Sequence, residues 1–138
     1  MSTDIVVGID GSAHSEVALR WALDEAELRD VRVRAVLTWS YMGEGESVLG
    51  VGTTEEDARA ALDAVIADVA GDRAGRVDAV TVNDLAAHGL LEQAADAALV
   101  VVGSRGRNGL KGFLLGSVSR TVVERSPVPV VVVPAGRN

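Results

Sequence analysis

The chain has 138 residues, 48% of them apolar, no cysteine and a formal net charge of -7. That length and composition suit one domain, residues 1–138, with a core of its own, and they exclude a disulfide framework or a thiolate metal site. With His14 and His88 as the only imidazoles, far apart in sequence, His- or Cys-based metal chemistry is not expected.

The opening "MSTDIVVGID" has an early acid and only a short apolar run, unlike the basic and longer apolar segments of a secretory signal. No apolar run approaches the roughly 20 residues of a membrane span. A cytoplasmic chain without membrane contact is therefore expected. "DIVVGID" reads as a strand that is apolar almost throughout, as strands covered on both faces are. A helix follows, with Ser12 as its cap and Ala13, Val17, Ala18, Trp21, Ala22 and Ala26 on one face. "RVRAVLTW" is the second strand, and "SYMGEGESVLGVGTT", residues 40–54, is a long link with four glycines, read either as a lid or as a mobile insertion.

Thr53-x-x-Glu56 has the form of a capping box before the second helix, whose apolar face is Ala58, Ala61, Leu62, Val65, Ile66 and Val69. "VDAVTV" is the third strand, and a short helix around Leu90, Leu91, Ala94 and Ala95 leads to the fourth, "ALVVVG". A last helix from Gly116-Ser117 and the strand "VPVVVVP" complete the chain. Strict alternation of strand and helix predicts an α/β sandwich around a parallel sheet. Trp21 and Trp39 are read as core residues, and His14 and His88 as surface or capping residues.

Charge is unevenly distributed: residues 1–102 hold 7 basic and 19 acidic side chains, and residues 103–138 hold 6 and 1. A local basic patch on an acidic body suits a small anion and argues against nucleic acid. The patch coincides with "GSRGRNGLKGFLLGSVS", residues 103–119, which contains five glycines and three basic residues. A strand running through a glycine-rich loop into a helix N-terminus is a phosphate-binding geometry, because backbone N–H groups converge there and the helix dipole favours an anion. The same residues are also what turns and a solvated surface require. "GLKG" lacks the Gly-Lys-Ser/Thr ending of a P-loop, and "GIDGSAHS" is not the G-x-G-x-x-G of a dinucleotide fold.

Gly103-x2-Gly106-x9-Gly116-Ser117, together with "IVVGIDGS", "ALVVVGSRG", "LLGSVS" and "SPVPVVVVP", resembles the universal stress protein family, and within it the ATP-binding branch. The resemblance covers nearly the whole chain. It implies a Rossmann-like, adenine nucleotide alpha hydrolase-like fold, with a five-stranded parallel sheet in the order 3-2-1-4-5 and the ligand at the carboxyl ends of strands one and four, where strand order reverses. It also implies that Asp10 faces the adenosine half of the nucleotide and that Thr38 offers backbone groups to the adenine edge. Asp10 has an alternative use, capping the first helix with Ser12. By the same resemblance, Val102, Gly103 and Gly106 line the ribose and first phosphates, while Gly116, Ser117, Val118 and Ser119 hold the rest. Arg105, Arg107 and Lys111 would add charge.

The chain departs from the usual family pattern at Asp84-Leu85-Ala86, Leu37 and Ala98, outside the phosphate loop. The function expected is an ATP-binding regulatory protein whose nucleotide occupancy sets conformation or partner choice, with Mg²⁺ accompanying the triphosphate. A slow ATP-hydrolysing enzyme and a dimerising scaffold with a vestigial pocket are the alternatives. An apolar edge strand is unsafe unless covered, and the resemblance implies a homodimer paired through residues 128–133.

Overall fold

The apolar runs become strands because both sides of each are covered. In the computed structural model, which describes residues 3–40, 54–105 and 115–134, the elements run β1 (Ile5–Gly8), α1 (Ala13–Arg29), β2 (Val33–Trp39), α2 (Glu55–Ala70), β3 (Val77–Asn83), α3 (Ala86–Ala94), β4 (Leu99–Gly103), α4 (Ser117–Arg125) and β5 (Val130–Val133). The sheet has five parallel strands in the order β3-β2-β1-β4-β5. Fold class and strand order are those expected. β1 lies at the centre, with Ile5 in register with Val33 on one side and Leu99 on the other.

Alternate residues of each strand feed two separate cores. Ile5, Val7, Val33, Ala35, Leu37, Leu99 and Val101 pack with α1 and α2, whereas Val6, Val36, Val100 and Val102 pack with Leu90 and Ala94 of α3 and Val122 of α4. Burying one such aliphatic side chain contributes about 1.5–3 kcal/mol relative to leaving it in water. Covering both faces is therefore what makes a continuous apolar strand stable, and the result is three layers.

Helix α1 turns further toward the sheet than the sequence pattern suggests: its buried residues are Ser15, Ala18, Leu19, Ala22, Leu23 and Ala26. Ala13 is exposed, and Val17 and Trp21 pack only at the margin of the core. Trp39 is likewise partly buried against it. The cap of α2 is Thr54, not Thr53; its hydroxyl accepts the Asp57 N–H at 3.1 Å. Between α2 and β3 the chain makes a 3₁₀ turn over Gly71–Arg76, which the sequence pattern did not suggest.

Two arginines tie β2 to its neighbours. Arg32 makes a two-pronged pair with Asp78 of β3, at 2.9 and 2.8 Å. Arg34 donates to the Gln93 carbonyl at 2.8 Å and to Asp4 at 3.3 Å, tying β2 to the end of α3 and the start of β1. Among the described residues, no helix is long and apolar enough to cross a membrane.

Candidate functional site

Parallel strands point all their carboxyl ends the same way, so the turns leaving β1 and β4 lie side by side while the chain departs from them in opposite directions. A cleft forms there. Its lining comprises Gly8, Ile9 and Asp10 after β1, Ser15 of α1, Val36 and Thr38 of β2, Ala86 and Leu90 of α3, Val102, Gly103 and Arg105 at β4, and Val118 and Ser119 of α4.

The β1 wall is a closed hydrogen-bond network. Asp10 Oδ1 accepts from the Ser12 N–H at 2.9 Å and from the Ser12 hydroxyl at 2.6 Å. Ser12 Oγ in turn accepts the Ser15 N–H at 3.1 Å as the α1 cap. Ser15 Oγ closes the loop, donating to the Ser12 carbonyl at 3.0 Å and accepting the Asp10 N–H at 3.3 Å. Asp10 thus stands on the rim and buttresses the cap at once, which fixes its carboxylate in place.

On the β4 wall, Gly103 lies against the backbone of His14. A Cβ at Gly103 would meet the His14 carbonyl oxygen at 2.7 Å. The start of α4 is laced to this wall: Ser119 Oγ donates to the Gly103 carbonyl at 2.6 Å, and the Gly116 N–H donates to the Ser104 carbonyl at 2.8 Å. The Gly116 amide is therefore engaged within the protein. Gly116 caps α4 without a side-chain acceptor, and the N–H groups of a helix's first turn have no intrahelical partner. Ser104 Oγ lies 3.4 Å from His14 Nδ1, linking β4 to the first turn of α1.

Of the site residues expected from sequence, Asp10, Thr38, Val102, Gly103, Arg105, Val118 and Ser119 share this cleft. Gly116 and Ser117 begin α4 beside it without lining it. Gly106, Arg107 and Lys111 lie outside the described residues, as does the link over 41–53. Gly8, Ile9, Ser15, Val36, Ala86 and Leu90 were not foreseen. Leu37, one of the departures noted above, faces the α1–α2 core and so leaves the cleft untouched.

The lining divides by chemistry. Ile9, Val36, Leu90 and Val102 give the lining its apolar surface, and Asp10, Ser15, Thr38, Arg105 and Ser119 give it polar side chains, with the Ser15 and Ser119 hydroxyls donating to backbone carbonyls. Away from the cleft, His88 is held protonated to higher pH than an ordinary imidazole by its hydrogen bond to Asp84 and by the charges of Asp84 and Glu92. Asp84 correspondingly stays ionised to lower pH, chiefly through that bond.

A mostly apolar cleft with a few polar groups, at the point where strand order reverses, is where doubly wound α/β proteins as a class hold small ligands. The Universal stress protein family profile matches residues 1–134, and the chain belongs to that family. A universal stress protein of Mycobacterium tuberculosis is 41% identical over 136 residues, which is 93% of this chain and 44% of that protein. One from Mycolicibacterium smegmatis is 40% identical over 134 residues, covering 94% and 45%. The chain thus spans less than half the length of these curated relatives. Among solved structures, a universal stress protein in complex with cAMP superimposes with a TM-score of 0.70 at 25% identity, over 98% of both chains. A universal stress protein from Archaeoglobus fulgidus in complex with dAMP gives 0.67 at 26% identity, over 94% of this chain and 96% of that one.

Proposed function

We propose that the chain binds an adenine nucleotide, with ATP the expected one, in the cleft between β1 and β4, and that occupancy sets its conformation or its choice of partner. The observation that carries this reading is the pairing of an apolar lining, formed by Val36, Leu90 and Val102, with Arg105, the cation among the lining residues. The apolar lining suits a base and the guanidinium suits phosphate oxygens. The first-turn amides of α4 favour an anion through the helix dipole. The cAMP and dAMP complexes of the two structural relatives support the adenine half of the reading. Mg²⁺ would accompany a triphosphate mainly through phosphate oxygens and water, with Asp10 as the acid on the rim.

In the same reading two copies pair through β5, which ends the sheet, and the domain over 1–138 works as a cytoplasmic regulator without nucleic acid as partner.

Thermal melting with ATP, AMP and cAMP tests the nucleotide. At a ligand concentration of about 100 times Kd the stabilisation is roughly 2.7 kcal/mol, a rise in Tm on the order of 10 °C for this size. Gly116→Asp should lose the rise. Aspartate is a better helix cap than glycine, so the variant keeps its fold while placing negative charge beside the phosphates. A wild-type protein that melts at the same temperature with every adenylate sinks the reading.

A further inference from the structure

Outside the cleft, α3 carries a grouping of ionisable side chains that the sequence reading passes over. Asp84 precedes the helix, His88 and Glu92 share one helix face at a step of four residues, and Asp84 lies against His88. Ala86 and Leu90, which line the cleft, are two residues out of step with them, roughly 200° around the helix. The grouping therefore looks away from the nucleotide site.

The donor atoms of Asp84, His88 and Glu92 all lie within 4.8 Å of one another. His88 Nδ1 is 2.5 Å from Asp84 Oδ2 and 3.9 Å from Glu92 Oε1, so one imidazole nitrogen faces both acids. We propose that these three residues form a surface site for a divalent transition ion of the Zn²⁺ class. One nitrogen and two carboxylate oxygens would bind it, and water would complete the shell.

Three features make the grouping able to take up an ion. Asp84 Oδ1 accepts the Leu85 N–H at 2.6 Å, which turns Oδ2 toward the imidazole much as an outer-shell bond orients a metal ligand. The helix is seated firmly: Gly89 is buried, and a Cβ there would meet Thr38 Cγ2 at 2.8 Å. Donors on a rigid element hold their spacing. His88 and Glu92 are each 65% exposed, so an ion reaches them without opening the fold. Donors bound at about 2.0–2.2 Å from a shared tetrahedral ion lie roughly 3.4 Å apart, so the ion would displace the proton between His88 and Asp84 and spread that pair, while rotation of the exposed Glu92 side chain brings its oxygen in. The imidazole selects Zn²⁺, Ni²⁺ or Cu²⁺ over Mg²⁺ and Ca²⁺, which prefer oxygen alone.

Calorimetric titration of tag-free, nucleotide-free protein with ZnCl₂ tests the site. His14 and His88 are the only two histidines, so His14→Gln serves as the control. Wild type and His14→Gln should bind one Zn²⁺ with equal affinity. His88→Gln and Glu92→Gln should each bind more than about tenfold more weakly, with unchanged circular dichroism. Substoichiometric Cu²⁺ should broaden the backbone amide signals around 84–92 before any others. Absence of binding by the wild type, undiminished binding by His88→Gln, or broadening centred on His14 overturns the proposal.

Discussion

Gly103 has no room for even one more carbon. Its virtual Cβ falls 2.7 Å from the carbonyl oxygen and 2.8 Å from the carbonyl carbon of His14, both backbone atoms that move only if α1 moves. Gly8 is also crowded, but there the obstacle is Leu90 Cδ2 at 2.9 Å, the end of a side chain that can rotate. Gly103→Ala should therefore lower stability by about 1–3 kcal/mol, the usual cost of overpacking, and Gly8→Ala by less. Urea midpoints of the two variants check the order. At the flank of the sheet, the Arg32 guanidinium holds the Asp78 carboxyl below the usual carboxylate range, first by hydrogen bonding and then by charge. A depressed carboxylate adds stability above its unfolded pKa and loses it as pH falls through the folded one. Arg32→Gln should accordingly be less stable than wild type at neutral pH, and the two should converge under acid once Asp78 is protonated in both. Parallel unfolding curves at both pH values would contradict that assignment.

Among the elements, α2 offers a direct comparison. Thr54 satisfies the Asp57 N–H, so Thr54→Ala should cost about 1 kcal/mol and Thr53→Ala much less; denaturant unfolding of the pair decides it. Two adjacent threonines followed by three acids make the start of this helix ambiguous by one residue in sequence, and only the backbone turn resolves it. The strands were easier to read, because short runs rich in β-branched residues such as "LVVVG" favour strand over helix. Helix α1 was harder: its alanines surround much of the cylinder, so Leu19 and Leu23 were missed while exposed Ala13 was included. The cleft was legible where glycine and charge cluster in one stretch, as at Gly103 and Arg105. It was illegible where single residues arrive from separate elements, as Val36, Ser15 and Leu90 do. The i, i+4 steps of Asp84, His88 and Glu92 stand in the sequence, but that Asp84, which precedes the helix, keeps its carboxylate against His88 is legible only in the fold.

At the scale of the molecule, the sheet has two ends, β3 and β5, and they differ. β3 begins beside the paired Arg32 and Asp78, and a charged edge discourages further strands. β5 is four consecutive valines, bounded by Pro129 and Pro134, neither of which can donate to a ladder. In the proposed dimer this is the edge that finds a second copy. Val131→Lys should then halve the mass seen by light scattering while circular dichroism reports an intact fold; an unchanged mass would count against pairing through this strand.

β1 and β4 touch along their length, yet about two thirds of the chain separates them in sequence. A polypeptide still leaving the ribosome therefore possesses only one wall of its crevice until the fourth strand emerges. A guest spanning both walls could act as a template only after residues 99–103 have joined the sheet beside β1.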